Sequence, residues 1–173
     1  MSQYGKIKSV ISERGGKMMD SKKLAAAMNQ YGDMVYRIAM AILCHPEDAE
    51  DAVQNTFLRY YRKAPQFNDA EHERAWLIRV AVNCSRSLST YRSRHCHEPL
   101  EHYKTAAVSS SILPELLWCL PQKERELLQL RYGEGYTSEE IGEILGCSGV
   151  TVRKRLERAK KRAEKIYKKE VLQ

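Results

Sequence analysis

Residues 137–166 read TSEEIGEILGCSGVTVRKRLERAKKRAEKI, and their order of caps, glycines and apolar steps decides the fold. Thr137 followed three residues later by Glu140 is a capping box: hydroxyl and carboxylate each satisfy a backbone N–H that a helix start leaves orphaned. The helix it opens is short, with Ile141, Ile144 and Leu145 on its apolar side. Gly146 ends it where positive φ costs glycine little. Ser148 then caps a second helix. Gly142, Gly146 and Val152 stand at the spacing of a helix-turn-helix: a small residue where two helices touch, a turn glycine, and an apolar residue beneath the second helix.

The second helix has two unlike faces. At about 100° per residue, with Lys154 at 0°, Val152, Leu156, Ala159, Ala163 and Ile166 fall between about 120° and 200°, one apolar side. Arg153, Glu157, Lys161 and Arg158 fall at about −100°, −60°, −20° and +40°. A basic face at the start of such a helix suits the DNA major groove, where Arg and Lys pair with guanine O6 and N7 and Glu accepts from cytosine N4. Lys160, Arg162, Lys165 and Lys168 lie farther along and suit phosphates or solvent. The charge of the whole chain points the same way. Residues 148–173 carry ten basic and three acidic groups, against a net charge of +7 for all 173 residues, while residues 96–147 carry four basic and nine acidic. A basic end beside an acidic middle is the pattern of a polyanion-binding element.

Working upstream, helical periodicity dominates and strand signals are nearly absent, which predicts at least seven helices. Residues 21–43 place Leu24, Met28, Tyr31, Val35, Ile38 and Ile42 on one stripe. Pro46 opens a second helix to about residue 63, with Glu47, Asp48, Glu50 and Asp51 at its positive end and Ala49, Val53, Phe57 and Tyr60 or Tyr61 as its buried face. Asn68 with Glu71 predicts the cap of a third helix reaching about Arg94, burying Trp76 or Leu77, Val80, Ala81, Cys84, Leu88 and Tyr91. Residues 96–111 lose the periodicity and gain Ser, His and Pro, a flexible linker. Helices over about 112–120, 122–132, 138–145 and 149–168 follow. The expected class is therefore all-α: two small helical domains, 21–95 and 112–173, joined by that linker, with residues 1–20 a disordered N-terminal extension. Domains this small bury a modest fraction of their surface, so each is expected to lean on a partner.

Two segments now carry a resemblance. DAEDAVQNTFLRYYRKAPQF (48–67) followed by AWLIRVAVNCSRSLSTYRSR (75–94) resembles the promoter-opening domain of bacterial sigma factors, and LPQKERELLQLRYGEGYTSEEIGEILGCSGVTVRKRLERAKKRAEKI (120–166) resembles their promoter-reading domain. Two such domains on a short linker resemble the extracytoplasmic-function group of the sigma-70 family. The resemblance implies a sigma factor that directs promoter-specific transcription initiation. Its partners would be core RNA polymerase, through the clamp helices of the largest subunit and the flap of the second-largest, promoter DNA, and an anti-sigma factor, in this family often membrane-tethered.

Carried onto this chain, the resemblance gives Asp48, Glu50, Asp51, Gln54 and Asn55 to polymerase. It gives Asn83, Trp76, Arg79 and Arg86 to the −10 element, with Arg92 and Arg94 as further phosphate-tracking charges. For Trp76 the reading of the residues alone favours core packing. The loop from Gln66 to Glu73 matches the family loop that holds a flipped base, but here it carries Asp69, Glu71 and Glu73, an acidic departure for a DNA-facing surface. For the −35 element the positions are Arg153, Lys154, Glu157 and Arg158, the same four the helical wheel selects, with Ser148, Thr151 and Lys161 beside them. Glu157 departs from the neutral or aromatic residue more usual there.

Other classes fit less well. A stand-alone helix-turn-helix regulator would bind operators without polymerase, but it leaves the acidic second helix and aromatic third helix without a role. An enzyme or metal protein lacks its motifs: no CxxC, HExxH, Walker or GxGxxG spacing occurs, and His95-Cys96-His97 are too close in sequence to ligate one ion well. No cofactor, metal or catalytic residue is expected. Five scattered cysteines (44, 84, 96, 119 and 147) fit reduced thiols in the cytoplasm, Cys96 being the one an exposed linker would offer to oxidants. No run approaches a membrane span, and MSQYGKIKSVISERGGK lacks the apolar centre of a secretory signal.

Overall fold

The computed structural model describes residues 20–95 and 118–171. Among them every regular element is helical: α1 (Ser21–Leu43), α2 (Pro46–Lys63), α3 (Ala70–His95), α4 (Gln122–Leu128), a π-helical turn (Gln129–Gly133), α5 (Ser138–Leu145) and α6 (Gly149–Val171). The extension before residue 20, the linker over 96–111 and most of the helix expected over 112–120 lie outside the described residues.

The local signals act where they stand. Asp20, grouped with the extension from sequence, caps α1 by accepting from the Lys22 N–H at 3.0 Å. The third helix is capped by Asp69 rather than Asn68: its carboxylate accepts from the His72 N–H at 2.7 Å, three residues on. Thr137 and Glu140 form the reciprocal capping box, and Gly146 closes α5 at φ 71°. Gly142 sits where a Cβ would lie 2.5 Å from the Cys147 carbonyl oxygen, so only glycine lets α5 meet the turn that follows.

α1, α2 and α3 pack as a three-helix unit, and α5 and α6 cross with α4 behind them. All six α1 stripe residues are buried, as are Ala49, Phe57, Tyr60 and Tyr61 of α2. Val53, Val80 and Leu88 are only half-buried. Tyr91, expected inside, is 63% exposed, and Ile78 and Val82 are buried instead. α3 packs against α1, α2 and α5 at once, so its buried surface is broader than one stripe.

The two halves do not stand apart. Their apolar residues form one continuous cluster, from Leu24 of α1 to Ala159 of α6. α1 packs on α4 and α3 packs on α5, so the two halves share one apolar core among the described residues.

Candidate nucleic-acid interface and the contact between the two halves

The outer face of α6 starts from a defined cap. The Ser148 hydroxyl accepts from the Thr151 N–H at 3.2 Å and lies 2.8 Å from the Thr151 hydroxyl. Val152, Leu156 and Ala159 are buried against α4 and α5, with Ala163 and Ile166 half-buried below. That seating turns Arg153, Lys154, Glu157, Arg158 and Lys161 outward, and all five are exposed. Arg153 reaches Glu139 of α5 at 2.6 Å, an ion pair open to solvent on both sides that a phosphate or base can displace at little cost. One residue escaped the sequence reading. Val150 is 56% exposed and falls at about −40° on the same wheel, between Glu157 and Lys161. Its signal was a β-branched residue on a polar face.

On α2 the acidic residues divide. Asp51 and Asn55 are exposed, Glu50 and Gln54 half-exposed. Asp48 is tied to Arg92 of α3. The acidic loop is explained by internal bonds. Asp69 caps α3, Glu73 accepts from the Tyr60 hydroxyl, and Glu71 accepts from the Tyr136 hydroxyl at 2.6 Å. Burial and the Glu73 bond push the Tyr60 phenol well above its ordinary value; burial and Glu71 do the same to Tyr136. Trp76 is half-buried, edge-on to Tyr60 and Phe67 with ring centroids 5.9 Å away in both pairs. Asn83 is exposed, and so is Arg94.

Arg79 and Arg86 are placed differently from the other residues assigned to DNA: both reach into the C-terminal half. Arg86 meets Glu126 through two bonds, 3.0 and 2.6 Å. Arg79 donates to the Glu143 and Ile144 carbonyls at 2.7 and 3.0 Å. Those are last-turn carbonyls of α5, a helix with no basic residue of its own in that turn. The reverse also occurs. α1 lacks a basic last turn, and Arg125 of α4 donates to its Ala41 and Ile42 carbonyls at 2.6 and 2.9 Å.

Glu134, brought inward by the π-helical turn, holds Arg37 of α1 at 3.1 Å and Arg74 of α3 at 3.5 Å. The carboxylates of Glu126 and Glu134 are each only 2% exposed. Burial raises the Glu126 carboxyl above its ordinary range, an effect that Arg86 partly holds back, and it lowers Arg125. Among the described residues no group of three or more His, Cys, Asp and Glu is placed to hold a metal.

Comparison with known proteins places these features. Residues 27–95 match Sigma-70 region 2 and residues 110–162 match Sigma-70 region 4. An RNA polymerase sigma-E factor of Streptomyces avermitilis is 31% identical over 136 residues, covering 73% of this chain and 75% of that one. An ECF sigma factor SigE of Mycolicibacterium smegmatis is 29% identical, covering 77% of this chain, and a probable sigma factor RfaY of Xanthomonas campestris is 30% identical, covering 73%. The chain spans 57% and 36% of those two relatives' lengths. The fold matches the sigma factor RpoE of Bartonella quintana, solved with the anti-sigma factor NepR, at a TM-score of 0.68 and 21% identity, covering 85% of this chain and 98% of that one. It also matches CnrH, solved with the cytosolic domain of CnrY, at 0.67 and 20%, covering 97% and 96%. With both sigma regions present in order and a relative of this closeness along most of its length, the chain belongs to the extracytoplasmic-function group of the sigma-70 family of RNA polymerase sigma factors.

Proposed function

We propose that this chain binds core RNA polymerase and directs it to promoters, acting in the cytoplasm through binding alone. The observation that carries this reading is the pairing of two outward faces in one chain: the basic groove-sized face of α6 and the acidic outer face of α2. Arg153, Lys154, Glu157, Arg158 and Lys161 read duplex DNA at the −35 element, with Ser148 and Thr151 beside the backbone. The exposed Val150 methyls suit the methyl group of thymine, the one apolar feature of the major-groove edge. Asp51 and Asn55, with Glu50, Gln54 and Asp48, dock on a basic surface of polymerase. Asn83 and the Trp76 cluster face the −10 strand, where unstacking a base costs a few kcal/mol, roughly, and a fitted pocket offsets it. Arg79 and Arg86 add phosphate contacts there once they are released. An anti-sigma factor covering these faces is the expected regulator.

The test is a transcription assay with purified chain, core polymerase and a promoter library. Chain-dependent initiation at a defined subset, lost in R153A/R158A, is expected; initiation no different from core enzyme alone would overturn the reading. Operator binding with no effect of polymerase would favour a stand-alone regulator.

A further inference from the structure

Glu139 differs from the carboxylates around it. Glu126 and Glu134 are buried, and Glu140 closes the capping box of α5. The Glu139 side chain is 62% exposed and lies against Arg153, on the surface that α6 turns outward.

Two local features put it there. Glu139 stands in the first turn of α5, where the positive end of the helix favours a carboxylate. Gly149 opens α6 without a side chain, and a Cβ there would lie 3.1 Å from the Glu139 Cα and 3.1 Å from its Oε1. A larger residue would wedge the two helix starts apart or push the carboxylate off Arg153.

Arg153 needs such a hold. At about −100° on the wheel it sits at the edge of the basic face, beside α5, while Lys154, Arg158 and Lys161 point more directly outward. An unrestrained arginine at that edge meets phosphates of any sequence. Here the Arg153 Nη2 donates to the Glu139 Oε1 at 2.6 Å. A guanidinium is a rigid planar fork with five N–H groups, so one bond to a carboxylate leaves an edge for guanine O6 and N7. A phosphate that approaches the same edge meets the Glu139 charge. In water the pair contributes little, but in a groove that excludes water both the repulsion and the fixed orientation weigh more.

We infer that Glu139 is a positioning residue for base readout: it holds the Arg153 guanidinium edge-on to a guanine and keeps it from the phosphates. The inference rests on the −35 reading proposed above. Loss of Glu139 then widens the set of sequences accepted without weakening DNA binding as a whole.

The test is selection of duplexes randomised across the −35 element, at fixed salt, by holoenzyme assembled from the full chain and core polymerase. Wild type is expected to select guanine at one position that R153A makes indifferent. E139Q and E139D are each expected to lower that preference by about fivefold or more and to leave the other positions unchanged. On an unrelated duplex E139Q, which removes a negative charge, is expected to bind severalfold more tightly than wild type. E139D keeps the charge but is one methylene short of Arg153, and is expected to match wild type there, which separates repulsion from positioning. Helical circular dichroism and the urea midpoint are expected to stay at the wild-type values in both variants. A guanine preference that survives either substitution, a loss spread evenly over all positions, or a selected sequence with no guanine dependent on Arg153 would overturn this inference alone. A wild type that selects no sequence would overturn the proposed −35 reading, and the role of Glu139 with it.

Discussion

Arg86 of α3 lays both ends of its guanidinium on the carboxylate of Glu126 in α4, at 3.0 and 2.6 Å, across the boundary between the two sigma regions. Glu126 is 2% exposed and Arg86 is not, so the pair is a buried anion reached from the surface. Removing the cation leaves the anion buried and unpaired. R86A is expected to cost about 2 kcal/mol in urea denaturation of the full chain, below the usual figure for a fully buried pair because Arg86 is partly solvated.

The same pair sets a pH dependence. Burial raises the Glu126 carboxyl above its ordinary value of 4.5, with Arg86 opposing. The folded chain therefore holds this proton more tightly than the unfolded one. The stability this contributes is full below the ordinary carboxyl value and is lost as pH rises through the raised one. Removing Arg86 raises the carboxyl further, so the R86A loss is expected to shrink in acid and grow toward neutrality. E126Q is expected to flatten the profile. Denaturation at pH 5 and pH 7 checks both; an R86A loss equal at the two values would contradict the account.

Two glycines of the helix-turn-helix differ in kind. A Cβ at Gly142 meets the Cys147 carbonyl at 2.5 Å and the Gly149 nitrogen at 3.0 Å, both backbone atoms. A Cβ at Gly146 meets nothing within 4 Å but sits at φ 71°. G142A is expected to cost about 3 kcal/mol through forced separation of α5 from the turn, and G146A only about 1 kcal/mol of left-handed strain. Urea midpoints rank them, and G142A is expected to abolish duplex binding as well.

Val150 makes a prediction that its charged neighbours do not. If its methyls meet a thymine methyl, replacing that thymine with deoxyuridine weakens wild-type binding by about 0.8 kcal/mol, roughly fourfold. V150G is expected to bind both DNAs equally. Gel shifts at fixed salt across singly substituted duplexes read this; a wild type indifferent to every substitution would remove Val150 from the interface.

The acidic face of α2 separates docking from folding. Asp51 and Asn55 are exposed, whereas Asp48 is bonded to Arg92. D51K/N55K is expected to lose polymerase binding at least tenfold with an unchanged urea midpoint. D48A is expected to lower that midpoint as well, through a loss of about 1 kcal/mol in unfolding free energy. Polymerase pull-down beside denaturation distinguishes the two.

Sequence alone determined whatever depends on neighbours within one or two turns. The α1 stripe, the Thr137–Glu140 box, the Gly146 stop and the two faces of α6 follow from a fixed 100° step and from side chains that reach their own backbone. Where the rule weakened, the reading slipped: Asp69 rather than Asn68 caps α3, and Tyr91 is exposed while Ile78 and Val82 are buried. A 26-residue helix packed on three others has no single inner face. The tertiary structure alone decided that Arg79 and Arg86 turn toward the C-terminal half and that Arg125 ends α1. Arg86 and Glu126 stand 40 positions apart. No periodicity links residues on different helices, because which guanidinium meets which carboxylate depends on how the helices are stacked and on the cost of leaving a buried charge alone.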